Sequence, residues 1–441
     1  MNKMTFPTKS PHVLIIGGGI GGLTLAQSLR KQGISFDVFE RDLSSAHRDQ
    51  GYAVGLYDLE GLFGDSLSDD VPPLTSTCHL LPLPLPSQVF FHLPGGRMMY
   101  VEDTPETPCI RANRARLREV LSTGVSIHYG KRAIRVDEDD EKVIVLFEDG
   151  TSATGDVLVG ADGTFSSGIF PPFPSSFYLV DHQWLGSSLT WVDIVRPHVL
   201  KKSNDEILNP FPTTCVMGSC QLSGADMEQQ MQLGYSSYVA IGPDFTLFSG
   251  VNRVHVHEDG PTTGDYYWLL SQNDETVGRH DHWLKTASQQ DKLDWALKAA
   301  QVLEPKFRVT VEKTVAEGIK SNVAWWDAAY KEVPPVNRVL LIGDAAHPMT
   351  PIRGEGAIYA IKDAVQLGKV LAEYRGDGTD FSVLRSKLNE CQQDMVAKGY
   401  ESIIAARSTM ANAREGKKTP VAWGHELRPV AELTPLPVRL T

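Results

Sequence analysis

Two short stretches of this 441-residue chain combine residue types and spacing that can do chemistry. The first is Gly17-Gly18-Gly19-Ile20-Gly21-Gly22, a Gly-x-Gly-x-x-Gly run directly after the apolar segment HVLII. In that context Gly17 permits a tight turn, Gly19 lets the backbone approach a pyrophosphate, and Gly22 lets the following helix pack closely on the strand. The phosphates then meet the positive end of a helix. Glu40 closes the next strand-like run, FDVFE, about 20 residues on, where a carboxylate can accept hydrogen bonds from a ribose diol. The second stretch is Gly343-Asp344-Ala345-Ala346-His347-Pro348, followed by Pro351, Gly354 and Gly356. An aspartate just past a buried strand can hold a polyol hydroxyl. Glycines at the next helix start let backbone N–H groups approach a flat ring, and a reduced isoalloxazine, negative near N1 and O2, would be stabilised there.

These residues need a scaffold, and the apolar periodicity supplies one. Residues 12–40 read as strand, glycine turn, helix and strand, with Leu23, Ala26 and Leu29 near helical spacing and Gly33 at the C-cap position. Leu117, Val120 and Leu121 mark a second helix. KVIVLFEDGTSATGDVLVGADG then predicts a hairpin turning at Asp149-Gly150 and a buried strand, DVLVG. From about Pro171 to Gln290 the chain carries aromatic-rich runs such as YSSYVAIG, FTLFSGVNRVHVH and DYYWLLS, which predict a mostly antiparallel second domain. Helical periodicity resumes in DKLDWALKAAQVL. The strand RVLLIGDAA, a helix from about Glu355 to Tyr374 and a final helix from about Phe381 to Ala413 complete the pattern.

Composition narrows the class. The chain is 41% apolar and 22% charged, with 42 basic and 54 acidic side chains and a net charge of −12, which fits a folded globular protein and disfavours nucleic acid as a partner. No stretch approaches about 18 uninterrupted apolar residues, and the N-terminus lacks an apolar signal core, so a cytoplasmic chain with no membrane partner is expected. Cys78, Cys109, Cys215, Cys220 and Cys391 are scattered and read as reduced thiols. Cys215 and Cys220 are too widely spaced, with no histidine pair at ligand spacing, to suggest a metal site.

The glycine motif with Glu40, the Ala161-Asp162-Gly163 segment and GDAAHP occur in an order that resembles the class A flavoprotein monooxygenases, relatives of para-hydroxybenzoate hydroxylase. The resemblance runs from about His12 to Leu371, strong in the nucleotide-binding segments and weak between them. It implies an α/β chain: a discontinuous FAD-binding Rossmann-like (GR2-type) domain, an inserted mostly antiparallel β-sheet substrate domain and a C-terminal helix. The implied divisions are 1–80, 106–170 and 291–375 for FAD, 81–105 and 171–290 for substrate, and 376–441 for the C-terminal helix and tail.

By the same resemblance the cofactor is FAD, with NAD(P)H as a transient co-substrate. Gly17, Gly19, Gly22 and Glu40 would serve the ADP half, and Arg41 is a further cofactor-binding candidate. Arg114 of RARLREVL matches the flavin-contacting arginine, Asp344 the ribityl or pyrophosphate aspartate, and Ala53, Gly354, Gly356 and Ala357 the small residues near the ring. Asp162 matches a residue serving both the cofactor and a surface that meets NAD(P)H. The implied reaction is insertion of one oxygen atom from O2, through a flavin C4a-hydroperoxide, into an electron-rich aromatic, polyketide or alkaloid-like small molecule. The implied assembly is a monomer or homodimer. A redox-silent protein that binds or cyclises such a molecule is the alternative from a different class. Arg48 and Tyr267 are the candidate catalytic contacts, and Ser249, Arg253 and Tyr266 join Tyr267 as candidate pocket residues; no general base is assigned. Two departures stand out: TFSSGIF follows Ala161-Asp162-Gly163 without the family's arginine, and Arg353, expected to point to solvent, stands among the small residues. His347 is expected to belong to a structural turn, and Trp325-Trp326 to core packing.

Overall fold

The computed structural model describes residues 10–45, 47, 52–77, 88–96, 98–102, 109–164, 194–242, 244–279, 281–320, 325–374, 380–414 and 428–430. The apolar run forms β1 (Val13–Ile16), the glycine turn opens α1 (Ile20–Lys31), and FDVFE forms β2 (Phe36–Glu40). Strand β3 (Ala53–Tyr57) and short helices α2 (Leu59–Phe63) and α3 (Leu74–Thr77) follow. Next come β4 (Gln88–His92), β5 (Met98–Glu102), β6 (Cys109–Asn113), α4 (Arg114–Leu121) and β7 (Ile127–Tyr129). A meander of β8 (Ala133–Glu138), β9 (Val143–Phe147) and β10 (Ser152–Gly155) turns at Asp149-Gly150, where Gly150 has φ 81°, and leads to β11 (Val157–Gly160). Helices α5 (Val195–Leu200) and α6 (Asn204–Ile207) precede β12 (Asn209–Pro210), β13 (Thr213–Ser223), α7 (Gly224–Leu233), β14 (Ser237–Ile241), β15 (Phe245–His255) and β16 (Thr263–Asn273). The last elements are α8 (Gln289–Ala299), α9 (Pro305–Glu312), β17 (Trp326–Asp327), β18 (Val339–Leu341), α10 (Gly356–Glu373), α11 (Phe381–Arg414) and β19 (Arg428–Val430).

A five-stranded sheet in the order β18-β11-β1-β2-β7 is parallel throughout. Strands β1, β11 and β18 are buried at every position, the near-continuous apolar pattern of parallel strands covered on both faces. Helices α1 and α10 pack together; a Cβ at Gly368 would overlap Ser28. Val143, Val145 and Phe147 of the meander and Leu384, Leu388 and Met395 of α11 join the same core. Because the strands run one way, their carboxyl ends share one edge: Ile16 leads into Gly17, Gly160 into Ala161-Asp162, Leu341 toward Gly343-Asp344, and β2 ends on Glu40. That edge is where open α/β sheets bind ligands.

The second sheet has seven strands in the order β13-β16-β15-β14-β4-β5-β19, antiparallel except between β14 and β4. One of its faces packs Trp268, Leu247, Leu270 and Tyr238 against Leu293, Ala296, Phe307 and Val311 of α8 and α9. The Trp268 indole donates to Thr314 Oγ1 at 2.8 Å in that core. Helix α7 interrupts the stretch expected as strands; Gly224 at φ 52° turns the chain out of β13, and Met227 and Met231 bury one turn apart. Trp326 packs against the core of the parallel sheet, and Trp325 lies 6.3 Å from the Phe211 ring. Among the described residues, no helix is long and apolar enough to cross a membrane.

Between the sheets lies a two-stranded ribbon, β3 with β6, pairing Ala53 with Asn113, Gly55 with Arg111 and Tyr57 with Cys109. Directly opposed residues in an antiparallel pair share a face. Leu56, Ile110 and Ala112 enter a core shared with α4 and α10, and so the alternate set, Ala53, Gly55, Arg111 and Asn113, faces the other way.

Candidate functional site

The glycine loop is shaped for an approach from outside. Gly17 takes φ 114°, and a Cβ there or at Gly22 would overlap, respectively, the carbonyl of Ala161 or of Gly17. At Gly19 a Cβ would find only the Ala161 oxygen, 3.9 Å away. Gly19 is the N-cap of α1 and offers no side chain, and the first turn holds no acid, so the first N–H groups of the helix have no side-chain acceptor. Glu40 is buried; Oε2 accepts from Gly18 N at 2.9 Å and Oε1 from Asp42 N at 3.0 Å. Arg118, which the sequence reading passed over in favour of Arg114, is buried too. Its Nε donates to the Gly18 carbonyl at 2.9 Å, and Nη2 lies 3.8 Å from Glu40. Arg41 is half-buried immediately after Glu40.

The second motif docks directly on the first. The Gly21 Cβ position has Ala360 of α10 at 3.4 Å and Ile342, just after β18, at 3.7 Å. Burial pushes the Asp344 carboxyl above its ordinary range, opposed by positive charge on His347, Arg196 and Arg114. Arg114 also acts electrostatically on Arg118. Its guanidinium sits 5.3 Å over the Tyr52 ring. Beside Gly356 the approach is open: a Cβ there would have Asp344 Oδ1 at 3.7 Å. Helix α10 starts without a side-chain cap or an acid in its first turn, and Gly354, at φ 63°, turns the chain into it. Ala357 is half-buried and Ala53 buried, on α10 and the ribbon respectively.

An arginine that the sequence did not single out holds two of these loops together. Arg196 of α5 is fully buried and donates to the carbonyls of Ala345 at 2.8 Å, Asp344 at 2.9 Å and Gly163 at 2.9 Å. It ties the loop of half-buried Asp162 to that of Asp344. His347 is a buried turn residue, hydrogen-bonded to Asp363 at 2.6 Å, and Asp363 also accepts from Gly343 N at 2.9 Å. Burial would lower the His347 pKa, but the Asp363 carboxylate reverses this and holds it above the ordinary value. Arg353 does not point to solvent as expected. It forks onto Glu355 through Nε at 2.8 Å and Nη2 at 2.9 Å, and Ser402 Oγ donates to the same carboxylate at 2.7 Å.

On the ribbon's polar face, Arg111 Nη2 donates to the Tyr267 hydroxyl at 2.6 Å, and that hydroxyl donates to the Ala53 carbonyl at 3.3 Å. Asn113 donates to Asn252 Oδ1 at 2.9 Å. Tyr267 shares its sheet face with Gly250, Phe248 and Leu269. Ser249 and Tyr266 have the opposite parity and belong with Trp268 and Tyr238 on the other face, away from the ribbon. Arg253 follows a register shift after Val251 and is exposed. Of the four candidate pocket residues, only Tyr267 reaches the ribbon. Arg48 lies outside the described residues. Among those described, no cluster of three or more His, Cys, Asp or Glu side chains could hold a metal.

The arrangement fits FAD: two helix N-termini without side-chain caps, a glycine cradle closed at Gly17 and Gly22 but open at Gly19, and carboxylates at both ends of one sheet edge. A family model described as an NAD(P)-binding Rossmann-like domain matches residues 15–71, and one described as an FAD binding domain matches 283–393. The FAD-dependent monooxygenase thnD of Trichoderma harzianum is 38% identical over 427 residues, covering 96% of this chain and 98% of that protein. The FAD-dependent monooxygenase cctM of Talaromyces islandicus is 27% identical over 423 residues, covering 93% and 95%. Two solved structures share the fold at 19% identity. The 2,6-dihydroxypyridine-3-hydroxylase of Arthrobacter nicotinovorans has a TM-score of 0.68, covering 97% of this chain and 100% of that one. Klebsiella pneumoniae HpxO complexed with FAD and uric acid has 0.62, covering 94% and 93%. With sequence identity to thnD sustained along nearly its full length, and with this fold, the chain belongs to the class A FAD-dependent monooxygenases.

Proposed function

We propose that this enzyme uses NAD(P)H and O2 to insert one oxygen atom into an electron-rich small molecule, aromatic, polyketide or alkaloid-like, of secondary metabolism. FAD, when bound, supplies the hydride acceptance and oxygen activation. The protein's part is to hold and to exclude water. The α1 terminus and Gly19 receive the pyrophosphate, Glu40 the ribose, and Asp344, with Arg114 between, the ribityl side. The uncapped α10 terminus would favour negative charge held beside it. Ala53 and Gly55, small residues on the ribbon, would leave space for the ring, and Phe248, Leu269 and Tyr267 share the sheet face that would exclude water there. In this reading 1–80, 106–170 and 291–375 serve the flavin and 81–105 with 171–290 the substrate, while Asp162 borders the surface that NAD(P)H visits.

The observation that supports this reading is the packing of Gly21 against Ala360 and Ile342, which brings two motifs more than 300 residues apart in the sequence into contact. The test is spectroscopic and kinetic. Purified protein should be yellow, and NADPH oxidation should accelerate on adding phenols or polyketides from a broad panel, with one oxygen appearing in the product by mass. Colourless protein that takes up no added FAD, or NADPH oxidation unaffected by every member of the panel, would overturn it.

A further inference from the structure

Helix α10 begins on an acid that does not serve it. Glu355 is its N-cap residue, and its carbonyl accepts from Tyr359 N at 3.0 Å, yet its carboxylate caps nothing. A carboxylate beside the positive end of a helix is ordinarily drawn to the free N–H groups there. Here it is turned away and engaged elsewhere. Arg353, two residues before, grips both of its oxygens in a fork, and Ser402, 47 residues on in α11, donates to Oε2. The Arg353 and Glu355 side chains are 15% and 9% exposed and Ser402 is buried, so the contact is built into the protein rather than shared with water. It also gives a reason for Arg353, the large charge among small residues. On the side of Asp344 the start of the helix is open: a Cβ at Gly356 would find nothing nearer than Asp344 Oδ1 at 3.7 Å.

We propose that Arg353 and Ser402 are positioning residues that hold the Glu355 carboxylate off the α10 terminus, so that the first amides of the helix stay available to the flavin. This rests on the flavin reading of the site, in which that terminus favours negative charge on the bound cofactor. A flavin gains negative charge on reduction. A carboxylate released onto the same amides would therefore compete with the cofactor and penalise its reduced form more than its oxidised form. The hold on Glu355 thus sets both the affinity for FAD and its potential, without contact to substrate.

The test uses the flavin-loaded full chain and two variants that conserve charge. Ser402→Ala removes one holder, and Arg353→Lys replaces the fork with a single ammonium. Each should weaken binding of reduced relative to oxidised flavin about three- to tenfold, a fall of about 15–30 mV in the two-electron midpoint potential. Spectral equilibration with reference dyes reads the potential, and flavin titration of apo protein should show a raised FAD Kd. Ser402→Thr keeps the hydroxyl and should keep the wild-type potential. In a Glu355→Gln background neither change should move the potential further, because no charge is left to release. A merely structural contact would instead lower the apo unfolding midpoint and leave the potential where it was. A potential unchanged or raised in either Ser402→Ala or Arg353→Lys would overturn the proposal, and so would a fall that persists in the Glu355→Gln background. If Glu355→Gln yields no folded protein, the contrast between Ser402→Ala and Ser402→Thr decides. Failure of the parent reading looks different. A wild type that takes up no FAD overturns the flavin reading and this proposal together, whereas a yellow protein whose NADPH oxidation no panel member stimulates fails only as a monooxygenase and still reports the Glu355-dependent shift.

Discussion

Replacing Gly19 with alanine separates a glycine needed by the fold from one needed by the ligand. Gly19 has φ −82° and ψ −174°, open to any residue, and the nearest atom to an added methyl would be the Ala161 oxygen at 3.9 Å. The apo protein should therefore accept Gly19→Ala with a stability change within about 1 kcal/mol, the entropic gain offsetting the poorer N-cap. A bound pyrophosphate would meet that methyl. Losing one backbone N–H bond to a charged oxygen costs about 1.5–3 kcal/mol, which raises the FAD Kd roughly 10- to 150-fold. Titration of apo protein by flavin fluorescence, beside thermal unfolding of the same apo samples, measures both. Gly22→Ala is the contrast: its methyl would overlap the Gly17 carbonyl, so the apo protein itself should lose stability. Unchanged FAD affinity in Gly19→Ala, or an apo protein that unfolds as readily as the Gly22 variant, would refute the assignment of this loop to the pyrophosphate.

Three further outcomes follow from buried charge. Asp344 has a raised pKa because burial disfavours its charged form, so its penalty appears as pH climbs past the ordinary carboxylate value and is complete above the folded pKa. Asp344→Asn should leave urea midpoints of apo protein unchanged near pH 3 and raise them near pH 8, while weakening FAD binding; equal midpoints at pH 8 would contradict this. His347 has the opposite consequence. Its raised pKa means the pair with Asp363 stabilises fully below the ordinary histidine value of 6.5 and fades as pH rises through the folded pKa. His347→Gln should thus lose more stability against wild type at pH 5.5 than at pH 9.5, and a pH-independent difference would exclude the ion pair. Arg196→Met strands three buried carbonyls at about 1–3 kcal/mol each before relaxation. It should lower the apo unfolding midpoint and weaken FAD binding, with Arg196→Lys recovering only part because one ammonium cannot reproduce the fork; a midpoint equal to wild type would show that the two loops do not depend on it.

The βαβ start, the hairpin at Asp149-Gly150 and the two long C-terminal helices were legible because turn glycines and apolar periodicity are local signals. Sheet order was not: β18 pairs with β11 across some 180 residues, and nothing local marks that choice. The same limit governed side-chain direction. Ser249, Tyr266 and Tyr267 are alike in type, and only the register pairing Gly250 with Tyr267 separates the ribbon-facing residue from the others. Arg196 escaped notice because its partners are backbone carbonyls of two loops, one 33 positions before it and one some 150 after it, and no local pattern marks such contacts. Arg353 departed from expectation because a carboxylate two residues away, steadied by Ser402, captured it first. Arg111 did leave a trace, a lone charge between Ile110 and Ala112 in an alternating strand, which signals that one edge of the strand meets something polar.

The order of the parallel strands also dictates when the enzyme can acquire its colour. Val339, the start of the outermost strand, is synthesised 326 positions after Val13, about 15–65 s later at about 5–20 residues per second. Until then β11 waits on the ribosome with a bare apolar flank, and neither Asp344 nor the α10 amides exist to close around a flavin. Heterologous production should accordingly gain more from slow translation, low temperature and co-expressed chaperones than from riboflavin in the medium, since the nascent chain spends most of its synthesis sticky and unable to bind its cofactor.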